Sequence, residues 1–376
     1  MCGRWGDRIS VQWSHVMLVS RDALLATNRL GWTVMLQDIA PHVYDNQYDS
    51  HDPYPHDRVF IVRDNALLVL NIADDFAVCQ SPTLLPYPSA ADVTTTLEAQ
   101  GIKPEYQYLF SIDEVSYYLP TRDALMMKRI ASIMEAADLV VYSSASGSGN
   151  ACNAVGVASK NAADYLQDTT QSLEQSSCMR WVRAPEIHST EHGAESFAGL
   201  MGLQLWNWYD TTRFCGRCGE ELIPDTLERM MRCPRCGNLV YPRINPAVIV
   251  GVVDRERDRV LVARGVGRPL TSRSLIAGFA ESGETIEQTV VREVKEEVGL
   301  DVGNLVFYKS QPWPLSSSLL MGFFCDLVGS PEISLQETEL AFAEWVSRDE
   351  LPFDDTNYSL TREMMGVLKA KKEAYL

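Results

Sequence analysis

The stretch from Gly278 to Leu300, GFAESGETIEQTVVREVKEEVGL, constrains this chain more than any other. Ile286, Val290, Val294 and Val298 recur at i, i+4 spacing, which predicts one amphipathic helix opening after a glycine-rich turn and stopping at Gly299. At about 100° per residue, Glu296 lies about 60° to one side of Glu293 and Glu297 about 40° to the other. The three carboxylates therefore share one narrow face beside the buried seam. Like charges at this spacing repel, and a half-buried acidic cluster without a partner is costly. A divalent cation removes that cost, and Mg²⁺ favours carboxylate oxygens together with waters and substrate phosphates. The pattern points to metal-dependent phosphate chemistry; the alternative is a solvated helix face rich in Glu.

With 376 residues the chain has room for two or three domains. A net charge of −17 argues against broad electrostatic binding to a nucleic-acid backbone. No apolar run reaches the length of a membrane span. The opening MCGRWGDRIS lacks a secretory apolar stretch, and Ala374-Tyr375-Leu376 has no basic central residue, making it a poor peroxisomal address. A cytoplasmic location is expected. Of nine cysteines, four fall into two C-x-x-C pairs, while Cys2, Cys79, Cys152, Cys178 and Cys325 are scattered. That fits a reducing compartment with one metal site.

Three parts are expected: a β-rich region with helices and a flexible insertion over 1–190, a helix and cysteine module over 191–243, and a catalytic domain over 244–376. In the first, Arg58–Val62 and Ala66–Leu70 flank Arg63-Asp64-Asn65 as a hairpin, and Tyr106–Phe110 pairs with Val115–Leu119 around Asp113-Glu114. Thr121 is the expected cap of a helix through Leu125–Leu139. The small polar run Ser143–Asn150 predicts a flexible loop. All six histidines precede residue 193. Those at 42, 51 and 56 lie near Asp and Pro, where a metal role competes with ordinary surface loops. The C-terminal half therefore has no imidazole base of its own. Ala194–Tyr209 reads as a helix carrying Phe197, Leu200, Met201, Leu205 and Trp208 towards a core.

Cys215-Gly216-Arg217-Cys218 and Cys233-Pro234-Arg235-Cys236 are separated by fourteen residues. Two such turns can close a four-sulfur tetrahedral Zn²⁺ site, one ion per chain. With no position left open for water, that zinc is structural. A redox role for one pair would leave the other unexplained. Six arginines against four acids between Arg213 and Arg243 make this module mildly basic, enough for an anionic ligand or a dimer partner but not evidence of RNA binding. Strands at Ala247–Val253 and Val260–Ala263 follow, and Leu275 and Ala277 lead into the acidic helix.

In that helix region Gly278 is followed after five residues by Glu284, after seven more by Arg292-Glu293-Val294, then by Lys295, Glu296-Glu297, Val298 and Gly299-Leu300. This matches the Nudix box at every specified position, and the chain resembles a Nudix hydrolase. Downstream, Ser310-Gln311-Pro312-Trp313-Pro314-Leu315-Ser316-Ser317-Ser318 is similar to the SQPWPFPxS signature of NADH pyrophosphatases. Leu315 and Ser316 replace the usual Phe-Pro and leave that loop less stiff. The resemblance covers about 205–365 and is loose before it.

The resemblance implies an α+β fold, a Nudix α/β/α sandwich preceded by a zinc ribbon and a mainly β N-terminal domain. It implies that the main-chain carbonyl of Ala277 and the side chains of Glu293, Glu296, Glu297 and Glu339 hold catalytic Mg²⁺ or Mn²⁺. Gly278 and Gly299 shape the box, and Arg292 pairs with Glu284 to hold its loop. Gln311 to Ser318 would contact a dinucleotide, Tyr241 and Phe279 would stack a base (Tyr241 across a homodimer), and Thr361 would touch substrate where the family usually has Ala. The implied reaction is hydrolysis of NADH, and less efficiently NAD⁺, to a nicotinamide mononucleotide and AMP. The same chemistry would serve for an NAD cap on RNA or for a substrate such as ADP-ribose. A non-catalytic nucleotide sensor would not need the full set of glutamates.

Overall fold

The computed structural model describes residues 35–70, 87–145, 179–188, 193–269, 273–351 and 359–371. Four of the scattered cysteines (Cys2, Cys79, Cys152 and Cys178) lie outside these residues, as do the last five residues of the predicted flexible loop. Ser143–Ala145, expected in that loop, instead continue a helix.

The N-terminal part holds strands β1 (Tyr44–Asp45), β2 (Arg58–Val59), β3 (Val62–Arg63), β4 (Ala66–Leu70), β5 (Gln107–Ile112), β6 (Val115–Leu119) and β7 (Met179–Arg183). They form two small sheets, β1-β5-β6-β2 and β3-β4-β7. Both predicted hairpins are present. Asp64 and Asn65 take φ of 49° and 60°, the left-handed pair that a two-residue turn between twisted strands requires.

Among the described residues, helices stand beside these strands, as expected of a β-rich region with helices. Helix α1 (Ala90–Glu98) starts where Ser89 Oγ accepts from Asp92 N, and its Thr-rich sequence gives little apolar stripe to read. Helix α2 (Ala124–Ala145) is capped by Asp123, whose Oδ1 accepts from Met126 N at 2.8 Å. Thr121, the expected cap, sits two residues back and accepts from Asp123 N.

Short α3 (Ala184–His188) and long α4 (Gly193–Thr211) follow. Phe197, Leu200, Leu205 and Trp208 of α4 are buried as expected, with Met201 half-buried beside them. One continuous apolar cluster joins both small sheets, α1, α2 and α4 to Cys215, Leu222, Met231 and Cys233 of the cysteine module. That module is a three-stranded sheet in the order β10-β9-β8, from β8 (Ile223–Pro224), β9 (Met231–Arg232) and β10 (Leu239–Val240).

The C-terminal part is a six-stranded sheet of β11 (Asn245–Asp254), β12 (Arg259–Gly265), β13 (Ile276–Phe279), β14 (Asp301–Trp313), β15 (Ser318–Val328) and β16 (Leu340–Ser347). The order is β14-β15-β11-β12-β16, with β13 also paired to β11; β11 and β15 run parallel. Alternate residues of β11 face opposite sides. Val248, Val250 and Val252 pack against Val290, Val294 and Val298 of helix α5 (Ile286–Val298). Ile249 and Val253 pack with Leu360, Met364 and Leu368 of helix α6 (Leu360–Lys369). The helix–sheet–helix layering is thus built, with Met35 of the N-terminal part joining the α6 layer.

Candidate active site

Helix α5 carries the acidic face, and its ends are fixed by local chemistry. Thr285 and Gln288 form a reciprocal capping box at its start, a helix-start signal written in the sequence as T-x-x-Q. Gly299 ends the helix at φ 74°, a conformation that costs glycine nothing. The valine stripe faces the sheet, so Glu293 and Glu297 on its flank are drawn below the surface while Glu296 stays exposed.

Arg292 is the hub. Its guanidinium donates to Glu284 through Nε and Nη2 (2.5 and 2.9 Å), to Glu293 Oε1 and Glu296 Oε2 (2.9 Å each), and to the Phe279 carbonyl (2.9 Å). The expected Arg292–Glu284 pair is therefore present, and the arginine also braces two of the clustered glutamates. Sequence reasoning missed Thr289, fully buried, whose hydroxyl donates to Glu284 Oε2 at 3.0 Å. Bonds to Arg292 above all pull the Glu284 carboxyl down to about 2.

Gly278 is required by space. A Cβ there would meet the Glu293 carboxyl at 1.9–2.3 Å, so only glycine lets this carboxylate lie against β13. Ala277 beside it is exposed. Glu339 reaches the cluster through a turn: Gln336 N donates to the Glu297 carbonyl at 2.9 Å, and Glu339 N donates back to Gln336. Burial above all, with the charge of Glu339 adding to it, raises the proton affinity of both Glu293 and Glu297. Burial comes first for Glu297, followed by Glu293, Glu339 and Glu296, and together they push its carboxyl up to about 8. Glu297 Oε2 is buried with no hydrogen-bond partner. An orphaned oxygen amid three further carboxylates is the environment a divalent cation satisfies, so the donor set fits such an ion.

The Gln311–Ser318 segment is less of a loop than expected. Gln311 to Trp313 finish β14, Pro314–Ser316 make one 3₁₀ turn, Ser317 turns at φ 50°, and Ser318 begins β15. Asn245 N donates to the Ser317 carbonyl, so the turn lies beside the linker entering β11. Helix α4 packs against the same turn. Leu315 and Ser316 are exposed, Pro312, Trp313 and Ser317 half-buried, and Pro314 and Ser318 buried. Gln311, expected at the substrate, has no exposed surface: its Oε1 accepts from Leu360 N at 2.8 Å. Thr361, the next residue of α6, is half-buried. Phe279 is exposed beside the Arg292 hub; Tyr241 is also exposed, its hydroxyl tied to Glu228 Oε2 of the cysteine module.

In that module the sulfurs of Cys215, Cys218, Cys233 and Cys236 lie within 4.8 Å of one another. The Cys215–Cys236 and Cys218–Cys233 separations of 3.7 and 3.5 Å are close to the edge of a ZnS₄ tetrahedron, roughly 3.8 Å for bonds of about 2.3 Å. Among the described residues this is the one group of three or more such ligands gathered so closely. His42 pairs with Asp113 and His51 meets the Tyr118 hydroxyl, so both are engaged in the N-terminal part. The mildly basic balance of the module is partly spent within the fold. Arg213 pairs with Asp123, Arg232 with Asp225, and Arg229 donates to the Asn46 and Leu109 carbonyls.

Residues 244–365 match the NUDIX domain, and residues 210–241 match the NADH pyrophosphatase zinc ribbon domain. A Pseudomonas aeruginosa protein named NAD-capped RNA hydrolase NudC is 43% identical over 196 residues, covering 52% of this chain and 69% of its own length. The Salmonella typhi protein of that name is 42% identical over 175 residues, 45% of this chain and 67% of its own. Among solved structures, a NUDIX hydrolase from Nitrosomonas europaea is 27% identical, with a TM-score of 0.35, covering 43% of this chain and 93% of its own. With a complete box, a four-cysteine ribbon and relatives matched over two thirds of their length, the chain belongs to the Nudix hydrolases of the zinc-ribbon NADH pyrophosphatase type.

Proposed function

We propose that this enzyme hydrolyses the diphosphate of NADH and NAD⁺, releasing AMP and a nicotinamide mononucleotide, with Mg²⁺ or Mn²⁺ held by Glu293, Glu296, Glu297, Glu339 and the Ala277 carbonyl. The observation that carries this reading is the orphaned Glu297 oxygen, buried among carboxylates that raise its proton affinity. When bound, the ion neutralises diphosphate charge and acidifies water. The chain's own residues do the rest. Arg292 holds Glu293 and Glu296 in place against their mutual repulsion. A carboxylate of the cluster takes one proton as water forms its bond to phosphorus in line, and the bond to the bridging oxygen breaks towards the departing nucleotide. Phe279 offers an aromatic face for a base, and the 312–318 turn, beside the start of β11, offers a second surface. Zinc on the four cysteines holds the ribbon and stays out of the chemistry.

The test is a metal-dependence assay with NADH, resolving AMP from the reduced mononucleotide. Product release without added divalent ion, or none with either ion, sinks the reading. The names of the relatives favour one further substrate, an NAD cap on RNA, which carries the same diphosphate. Competing NADH against capped RNA ranks the two. We also infer a homodimer in which Tyr241 faces the partner's substrate, and a cytoplasmic setting consistent with reduced thiols.

A further inference from the structure

Three residues of β14 grip the first turn of α6. Tyr308 and Lys309 both reach Glu363 Oε1, at 2.6 and 2.7 Å, and Glu363 is buried. Two residues on, Gln311 is fully buried, and its Oε1 accepts from Leu360 N at 2.8 Å. Leu360 N is one of the first amides of α6, which have no partner within their own helix. Ser359, the local cap, serves Arg362 N instead. Leu360 is itself fully buried, so water does not substitute for the missing acceptor. The other end of the Gln311 carboxamide, Nε2, lies 3.5 Å from Gln37 Oε1 in the N-terminal part. Met35, two residues earlier, is packed in the α6 layer with Leu360 and Met364.

We propose that Gln311 is a positioning residue for substrate binding: it caps α6 from across the fold and, through Gln37, ties the N-terminal part to the mouth of the site. Thr361 follows Leu360 directly, and Trp313 lies two residues beyond Gln311, so the one carboxamide sets the spacing between the two surfaces offered to the dinucleotide. This rests on the proposed reading of the substrate. The role is distinct from contact, because a side chain with no exposed surface acts only through what it holds.

The test compares Gln311→Leu, Gln311→Glu and Gln37→Ala in the full-length, zinc-loaded enzyme. Leu removes the acceptor, whereas Glu keeps it. Gln311→Leu should raise KM for NADH about ten-fold with kcat within about two-fold, the signature of lost uniform binding. Gln311→Glu should stay within about two-fold of wild type, because a reoriented Gln37 amide can donate to it. Gln37→Ala should give a smaller rise in KM of the same kind. Hydrogen exchange without substrate supplies the readout that does not depend on the activity: the 360–363 amides should exchange faster in Gln311→Leu and not in Gln311→Glu. If wild type leaves NADH intact, the substrate reading fails while the exchange data still judge the cap. Two results overturn the proposal. One is unchanged exchange in Gln311→Leu. The other is a larger KM defect in Gln311→Glu than in Gln311→Leu, the result expected of a side chain facing the diphosphate.

Discussion

The ribbon and the box are two ligand clusters built on opposite principles. In the ribbon, four soft thiolates from two tight turns close around one point, and two of them, Cys215 and Cys233, are part of the same apolar cluster as the N-terminal sheets. In the box, hard carboxylates come from one helix and one distant turn. An arginine holds part of the charge, and one buried oxygen is left without a partner. The first arrangement is complete in itself and stabilises the fold. The second is kept incomplete, so that an ion and a diphosphate have something to finish. Placement follows chemistry: the closed site is joined to a core, and the open one lies where a helix edge meets the surface.

The sharpest way to break this contrast is to remove a ligand from each cluster. Cys215→Ser or Cys233→Ser should abolish zinc binding and much of the folding free energy of the ribbon, for which structural zinc supplies on the order of 10 kcal/mol. Because the ribbon shares its core with the N-terminal part, the loss should appear as a lower melting temperature and a loosened N-terminal half in limited proteolysis. Glu297→Gln and Glu296→Gln should behave in the opposite way. Turnover should fall by about 10² or more, while zinc content and melting temperature stay near wild type. Wild-type turnover in both Gln variants, measured with saturating Mg²⁺, would remove the metal role from this helix face.

Gly278→Ala sits between these extremes. A Cβ there collides with the Glu293 carboxyl, which must swing away and carry its bond from Arg292 with it. We expect a rate loss of about ten-fold or more with weakened metal dependence, since a small misplacement of a reacting group costs that much. A titration of rate against Mn²⁺ separates this from simple destabilisation. An unchanged half-saturating concentration would count against the steric argument.

The box was legible because its information is local. Spacing on one helix fixes which face Glu293, Glu296 and Glu297 share, and the valine stripe fixes which way that face tilts. The cysteine pairs were legible for the same reason. Burial created by long-range packing was not. Gln311 stands in a run that resembles a substrate signature, and only the docking of α6, 49 residues away, shows its carboxamide turned inward. Thr289 looks like an ordinary helix residue until Glu284 folds back over it. In the N-terminal half, α1 has too few apolar residues for its period to stand out, and the cap of α2 falls on Asp123 because Thr121 is used to fix the turn before it.

The smallest expected effect is also the most direct probe of the open cluster. Burial, and after it the charges of Glu293, Glu339 and Glu296, push the Glu297 carboxyl up to about 8 from an ordinary 4.5, so the folded protein holds a proton that the unfolded chain gives up. The sign follows from linkage: between about 4.5 and about 8 the folded state binds more protons, and stability must fall as pH rises. In buffer free of Mg²⁺ and Mn²⁺, the melting temperature of the catalytic domain should drop by a few degrees across that window. Glu297→Gln, which has no proton to lose, should flatten this part of the profile. Added Mn²⁺ should do so too, because the ion takes the place of the proton, and its apparent affinity should strengthen with pH up to about 8 and then level off. The ribbon predicts none of this, since thiolates that hold a zinc ion have no proton to exchange in that window. A pH profile that Mn²⁺ leaves untouched, or that Glu297→Gln shares with wild type, would mean that the buried oxygen is satisfied in some other way and that the two clusters are less different than their chemistry implies.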